Sequence, residues 1–574
     1  MSTPVLPPSP GHEPSAASGP EAPAPVADPD PRRPPDPFPA RRGRDWTQLA
    51  LGTAGAVAAG VGLGIGELAS GLFPRSVPSP VVAVGDAVVD LTPGAAVRTG
   101  IDSVGRADKP LLLLAIVLAS LLIGAVIAAP RQRTTRAIVG GFAALGAVAV
   151  WASARENERN LAAVVVVQVL AVGGAAVVAV GLRRLALTGR SPFDRSPRAD
   201  ETAWAGSAPA ASASPLDPPA TRRAFLAYAG AGAAFAGLTA AGGQRLRARS
   251  SAASARAAVA LPAAAAALPT GPDGAGTFDA IAGISPFVTP NADFYRIDTA
   301  LLVPQVTPDR WQLKITGLVE RELTFRLDDL LAMPLVEQQI TLSCVSNDVG
   351  GDLVGNAAWR GVPLSSLLQR AGAQPEATQV VGESVDGFTA GFPVSVLDGR
   401  PALVAVGMNG EPLPLEHGFP ARLVVPGLYG YVSATKWLSE IRLTRWEDED
   451  GYWIPRGWSK EGPIKTQSRI DVPRKGASIG AGTVAVAGVA WAPTRGISAV
   501  EVQVDDGPWA RADLAPATSD LTWVQWLYRW PASGGRHQLT VRALDGTGAV
   551  QSAERHEPAP SGATGYHSVR VDVT

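Results

Sequence analysis

One side chain here could act as a soft anionic ligand or a nucleophile: Cys344, the only cysteine in 574 residues, set in Ile-Thr-Leu-Ser-Cys-Val-Ser-Asn at 340–347. A lone cysteine forms no internal disulfide, no Cys-x-x-Cys redox pair and no cysteine-rich zinc or iron–sulfur site. Two roles are left. Cys344 is a small buried hydrophobe, or it is a single thiolate that binds a metal or attacks a substrate. Its neighbours must decide.

Those neighbours are ordered. Thr341-Leu-Ser-Cys344-Val-Ser-Asn347 is followed by Gly350-Gly351, Gly355-Asn-Ala-Ala-Trp359 and Gly361-Val-Pro-Leu364. Downstream comes Met408-Asn-Gly-Glu-Pro-Leu-Pro-Leu-Glu-His417-Gly-Phe-Pro-Ala-Arg422-Leu-Val-Val-Pro426-Gly427, then Gly430 and Lys436-Trp437-Leu438. Taken alone, His417 reads as a satisfied turn histidine, and Arg422 and Lys436 as surface charges. As an ordered set followed by a strand-rich tail, the run resembles the molybdenum-ligand segment of the sulfite oxidase family, and the resemblance covers residues 275–574.

The resemblance implies a molybdenum–molybdopterin cofactor with Cys344 as metal ligand. Chemistry agrees: a metal held by two dithiolene sulfurs takes one further soft anionic donor, and coordination deprotonates the thiol. It also implies that His417, Arg422 and Lys436 surround the phosphate-bearing pterin. The segment Asn291-Ala-Asp-Phe294-Tyr295-Arg296 resembles the loop that grips the pterin, with Asp293 where some members have Asn. Asp386 falls where relatives use an acid near the pterin. Tyr452 or Trp453 falls where a substrate-side tyrosine is expected.

One departure bears on the substrate. Sulfite oxidases place an arginine a few residues beyond the ligand cysteine, whereas 345–354 holds Asp348 and Asp352 and no arginine. A dianion is poorly held without that cation; Arg360, Arg296 or Arg456 could replace it. None of the histidines (positions 12, 417, 537, 556 and 567) lies in an apolar segment, so a bis-histidine membrane haem is excluded and no haem domain is expected. Electrons are then expected to pass to or from a separate donor or acceptor.

The elements that position these residues sort along the chain. Residues 1–44, rich in Pro, Ala, Ser and Asp, bury too little surface to order themselves and read as a disordered cytoplasmic tail ending in Arg41, Arg42 and Arg44. Residues 45–243 read as a transmembrane region, with spans near 46–66, 111–129, 137–154, 161–182 and 224–243, each long enough to cross a bilayer as a helix. Gly60, Gly62, Gly64 and Gly66 suit close helix packing in the first. The stretch 81–108, interrupted by Asp86, Asp90 and Arg98, reads as interfacial or re-entrant on the outer side.

Basic residues set the orientation: Arg41–Arg44, the Arg131, Arg133 and Arg136 turn and the 183–223 loop inside, and the C-terminal half outside. Thr221-Arg222-Arg223-Ala224-Phe225-Leu226 before a weakly apolar helix resembles a twin-arginine export signal, the route of folded, cofactor-loaded proteins. Residues 244–274 read as a linker, 275–474 as a mixed α+β domain with helices at 325–333 and 363–371, and 475–574 as an all-β sandwich. In the last, Val500, Val502 and Val504, then Val524, Trp526, Tyr528 and Trp530, then Leu539, Val541 and Ala543, then Val569, Val571 and Val573 alternate as strands of an immunoglobulin-like fold.

The expected architecture is therefore an N-terminal α-helical membrane bundle, an α+β sulfite-oxidase-type molybdopterin domain and an immunoglobulin-like sandwich. The expected function is that of a multi-pass enzyme of the cytoplasmic membrane with its catalytic domain outside. It would transfer an oxygen atom to or from a small sulfur compound, with sulfite oxidation and sulfoxide reduction both open. The sandwich could form a homodimer. A net charge of −1 argues against nucleic acid. The competing expectations are a non-catalytic membrane sensor or adhesion protein on the same fold, disfavoured by an intact Cys344, and a transporter, disfavoured by spans nearly free of ionisable residues.

Overall fold

Long runs of Ala, Val, Leu and Gly without interior charge close their backbone hydrogen bonds on themselves as helices. A computed structural model describes residues 46–74, 76–93, 108–156, 160–188, 219–249, 252–265 and 277–574. The expected tail with Arg41–Arg44, most of the 183–223 loop, Arg98 and part of the linker lie outside these residues. Among these described residues, five helices are long and apolar enough to cross a membrane. They are α1 (Trp46–Leu72), α3 (Asp108–Ala128), α4 (Thr135–Ser153), α5 (Leu161–Thr188) and α6 (Pro219–Arg249). Between the first two lies the short α2 (Pro80–Leu91), which Ser79 caps by accepting from the Val82 N–H and Pro80 opens.

Small residues let these helices approach. Gly55 of α1 faces the Gly124 carbonyl of α3, and a Cβ on Gly64 would stand 2.8 Å from the Ala236 carbonyl oxygen of α6. Two polar clusters then mark opposite ends of the bundle. At one, Arg183 donates to the carbonyls of Ala128 (2.6 Å), Pro130 (2.9 Å) and Arg131 (2.7 Å). At the other, Glu67 accepts from Ser79 and from Arg247, each at 2.5 Å.

The domain that follows is built on two sheets. In the first, β2 (Leu323–Phe325), β1 (Leu313–Gly317), β10 (Leu438–Thr444), β5 (Gln379–Ser384) and β6 (Thr389–Pro393) lie in that order, with β1 and β10 parallel. In the second, β3 (Val336–Ser343), β4 (Val354–Pro363), β7 (Leu403–Met408) and β8 (Glu411–Pro412) follow in sequence, and β9 (Arg422–Val424) pairs with β7. Leu313, Ile315, Val380, Phe392, Val404, Leu423 and Ile441 form one core with the apolar stripe Leu364, Leu367, Leu368 and Ala371 of α9 (Leu364–Ala371). Gly372, at φ +70°, stops that helix. The helix expected at 325–333 is shorter, α8 (Leu327–Leu331), and α10 (Gly430–Ser433) is a single turn.

The stretch expected as a linker is partly helical and docked. α6 runs on to Arg249 and α7 covers Ala252–Ala257. Arg256 donates to the Pro412 and Leu413 carbonyls at 3.0 and 2.7 Å, and Ala265 N–H donates to Leu335 at 2.7 Å.

The C-terminal region is β-rich. One sheet orders β11 (Gln467–Val472), β13 (Gly482–Trp491), β17 (Val524–Ala532) and β16 (Asp513–Leu514). The other orders β12 (Ser478–Ile479), β19 (His567–Val573), β18 (Gly535–Asp545), β14 (Ile497–Val504) and β15 (Ala510–Arg511). Val486, Trp526 and Trp530 of the first pack on Val500, Val502, Leu539, Val541, Val569 and Val571 of the second. The region begins at β11, before residue 475, because Arg469 pairs with Val489 of β13.

Candidate functional site

Cys344 lies where β3 ends and the chain turns back into β4. Its N–H donates to the Leu353 carbonyl at 2.9 Å, and Asn347 closes the intervening loop by accepting from the Leu353 N–H at 2.8 Å. The thiol is buried, and burial raises its pKa against the opposing hydrogen bonds from Ser346 and from the Val345 N–H. Sulfur therefore faces donors positioned for an anion. The same loop is braced by the C-terminal region: Arg469 Nη1 donates to the Gly351 carbonyl at 2.6 Å, and Gly350, at φ +82°, lies against the His567 ring.

Beside the thiol stands an aromatic and cationic group assembled from three segments. Phe294 stacks on Tyr295 (centroids 5.1 Å apart) and meets Trp359 and His417 edge-on at 5.7 and 5.5 Å. Tyr295 is within electrostatic reach of both Cys344 and Arg422, and its pKa is raised by burial and by the Cys344 charge, against Arg422. Arg422 places its guanidinium 4.9 Å from the Trp359 ring centroid and donates to the His417 carbonyl at 3.2 Å. Burial lowers the Arg422 pKa to about 10, so it stays charged.

His417 sits in a tight turn that Gly418 (φ +109°) completes. Its Nε2 lies 3.0 Å from the Asn291 carbonyl oxygen, which assigns the proton to Nε2. Burial lowers its pKa to about 4; the Arg422 and Lys436 charges reinforce this, while the Asn291 acceptor opposes it. The ring is neutral at pH 7. Asn291 is itself fixed, donating to Glu411 at 2.5 Å and accepting from Asn409 at 2.8 Å.

A carboxylate absent from the sequence expectations organises the remaining cations. Asp298, with its side chain 4% exposed, binds Lys436 (2.7 Å), Arg296 (2.9 Å) and Lys109 (2.7 Å). Burial pushes its pKa up, but Lys436, Arg296 and Lys109 together hold the carboxyl far below its ordinary range. Lys436 also donates to the Glu416 carbonyl at 3.0 Å, and burial lowers its pKa to about 8 even with Asp298 beside it. Only the position of Asp298, two residues after Arg296, could have drawn attention to it.

Asp386 and Tyr452 belong to a neighbouring group. Asp386, in the turn between β5 and β6, keeps an exposed edge, yet desolvation and the Asp298 charge raise its pKa, against the Ser384 and Phe388 bonds and Lys436. Tyr452 packs on Phe388 (5.8 Å) and Trp453 (5.2 Å), and Arg456 lies 3.7 Å over its ring while donating to its carbonyl at 2.8 Å. The three arginines considered as anion ligands are thereby distinguished. Arg360 is bonded to Glu337 on β3, Arg296 to Asp298, and Arg456 stands at Tyr452 with Asp90 of α2 at 3.5 Å.

Residues 300–453 match the family described as oxidoreductase molybdopterin binding domain. The chain is 31% identical over 317 residues to the sulfite oxidase of Gallus gallus, covering 46% of this chain and 68% of that protein. It is 35% identical over 153 residues to the uncharacterized oxidoreductase YuiH of Bacillus subtilis (strain 168), covering 27% of this chain and 74% of that protein. The sulfane dehydrogenase SoxCD structure from Paracoccus pantotrophus aligns with a TM-score of 0.45 at 24% identity, over 50% of this chain and 82% of that one. The chain spans about half the length of the mitochondrial sulfite oxidases it matches. Since the matched stretch contains Cys344, Asp386, His417, Arg422, Lys436 and Tyr452, the chain is an enzyme of the sulfite oxidase-like family of molybdopterin oxidoreductases.

Proposed function

We propose that this protein is a membrane-anchored, extracytoplasmic molybdenum-cofactor oxidoreductase that transfers an oxygen atom to or from a sulfur compound. The observation that carries the reading is the meeting of the Cys344 thiol, Tyr295 and the buried Arg422 guanidinium at one place.

The donor set fits the cofactor that the family implies. Among the described residues no group of three or more His, Cys, Asp or Glu side chains could hold a metal. Cys344 thus supplies one soft sulfur, suited to a metal that brings its other sulfurs with it. Asn291, Phe294, Tyr295, Arg296, Asp386, His417, Arg422 and Lys436 would hold the pterin and its phosphate. When bound, such a cofactor would supply two-electron redox chemistry. The protein's part is electrostatic and positional. Arg422 and Lys436 supply fixed positive charge in a dry site. Neutral His417 keeps Nδ1 as an acceptor while donating through Nε2.

On the substrate side we assign Tyr452 and Arg456. Asp86 and Asp90 of α2 and Asp386 all raise the Tyr452 pKa and offset Arg456, though burial is the larger cause. That charge balance favours a neutral sulfur compound such as a sulfoxide over the sulfite dianion.

Membrane anchoring is supported by five long apolar helices and by the sorting of their ends. Lys109 and Asp90 pair with Asp298 and Arg456 of the enzyme domain, and Arg131, Arg133 and Arg183 gather elsewhere. The basic end is inside and the enzyme domain outside under the charge rule for orientation. Arg222-Arg223, near the start of α6, serves as a twin-arginine signal in this reading. The C-terminal sheets form an immunoglobulin-like sandwich that could pair two copies, and electrons pass to or from a separate partner without a haem in this chain.

Elemental analysis of the detergent-purified full chain tests the reading. Stoichiometric molybdenum in the wild type, lost in Cys344→Ser, is the expected result. A metal-free, stably folded wild type from a cofactor-competent host would overturn it.

A further inference from the structure

The helical region is not only a tether, because one of its side chains reaches into the cation group. Lys109 opens α3, and its Nζ makes three bonds to a single loop: to the Asp298 carbonyl (2.8 Å), the Asp298 carboxylate (2.7 Å) and the Ala300 carbonyl (2.7 Å). An ammonium has three protons, so its donors are all used on residues 298–300. Next to this polar staple is an apolar one. Leu301 seats its side chain in a notch between α2 and α3, where a Cβ on Gly85 would come within 2.5 Å of its methyl and where Ile116 and Leu113 close in. Loop 298–301 is thus held by charge at one point and by shape at the next.

What this loop carries matters for the site. The Asp298 carboxylate is the shared acceptor of Arg296 and Lys436. Three cations around one carboxylate leave an excess of two positive charges, counted from Lys109, Arg296 and Lys436 against Asp298. A phosphate monoester at neutral pH carries about −1.5 to −2. Without Lys109 the excess falls to one, and Asp298 competes with the phosphate for Arg296 and Lys436.

We infer that Lys109 is a positioning residue of the cofactor site, contributed by the helical region: it holds Asp298 in place and neutralises it, so that Arg296 and Lys436 keep positive charge for the pterin phosphate. This rests on the cofactor reading above. It makes the first half of the chain part of the binding site, and it accounts for a cation placed at the end of a helix whose only other charge is its first residue, Asp108.

The test uses full-length protein in detergent and reads bound pterin per chain as released, oxidised pterin fluorescence during extended dialysis. Lys109→Met is expected to lose pterin about tenfold faster than wild type, the size expected when the Asp298 carboxylate loses its one charge-assisted hydrogen bond from Lys109. Lys109→Arg, which keeps the charge, is expected to restore retention to within about threefold. Leu301→Ala, which empties the notch and leaves the ammonium bonds, gives an intermediate rate and keeps the test open should Lys109→Met fail to fold. Wild-type retention in Lys109→Met overturns the inference and leaves the cofactor reading intact, as does failure of Lys109→Arg to improve on a folded Lys109→Met. A wild type that carries no pterin overturns the cofactor reading itself.

Discussion

Arg422 holds its guanidinium carbon 4.9 Å from the centroid of the Trp359 ring, so that a fully charged side chain, 5% exposed, lies on an aromatic face inside the domain. The ring belongs to β4 and the cation to β9, two strands that both pair with β7. A cation on a desolvated indole contributes about 2 kcal/mol, and its hydrogen bond to the His417 carbonyl contributes about 1 more. Arg422→Lys keeps the charge but loses the planar stack and the fork. We expect it to destabilise the domain by about 2 kcal/mol, read as a lower melting temperature of the purified protein. An unchanged melting temperature would show that the stack contributes nothing.

Acid should destabilise the fold through two desolvated histidines. His417 and His567 both have pKa values lowered to about 4, chiefly by burial. A base with a depressed native pKa binds a proton more readily when unfolded, so its stability contribution is complete above about pH 6.5 and lost as pH falls toward 4. Each histidine contributes up to about 3 kcal/mol by this route. Asp86, raised to about 7 chiefly by burial, and Asp386, raised chiefly by desolvation, act in the opposite sense, since a raised carboxyl pKa favours the native state as pH falls, and they offset part of this loss. Melting temperatures measured from pH 7.5 to 4 should decline, and His567→Gln should flatten the decline. A flat profile in the wild type is the outcome that counts against buried neutral histidines.

Arg456 offers a way to separate substrates. It lies over the Tyr452 ring and close to Asp90, the only one of the three arginines considered that stands beside that tyrosine. Arg456→Gln should raise KM for sulfite by at least about tenfold, the value of one charge-assisted contact, with a smaller change in kcat. For a neutral sulfoxide the KM should stay within about threefold. Equal effects on both substrates would remove Arg456 from the substrate side.

Much of the helical half and the family of the domain that follows were legible in the sequence, for different reasons. Uninterrupted apolar length specified the five long helices, since a charge-free run of that size has few other solutions. Cys344, His417, Arg422 and Lys436 drew attention because they stand in short ordered runs. Asp298 was not, because its meaning depends on Lys109, 189 residues earlier, and on Lys436, 138 residues later. The start of the C-terminal sheets at Gln467 was missed for a similar reason: β11 acquires its strand identity from pairing with β13, which its own sequence does not announce. Periodicity reports what a segment buries, and not which distant cation it meets.

The loop that presents Cys344 is finished by residues from the far end of the chain. Gly350 takes φ +82°, and a Cβ there would strike the His567 ring, while Arg469 ties the next residue down at 2.6 Å. His567 cannot retreat freely, because its Nδ1 accepts from the Ile470 N–H at 3.0 Å. Gly350→Ala therefore meets both a disfavoured backbone conformation and a clash, with a cost of about 1–3 kcal/mol. Arg469→Met removes only the tie. We expect Gly350→Ala to lower the molybdenum content of the purified protein by more than half, an effect of about 1 kcal/mol on retention. Arg469→Met should lower it less, and Gly476→Ala, also at positive φ but with open space around it, should leave it unchanged. Full metal content in Gly350→Ala would mean that the C-terminal region does not shape the thiol loop. Loss in Gly476→Ala as well would mean that general instability, and not the loop, controls metal retention.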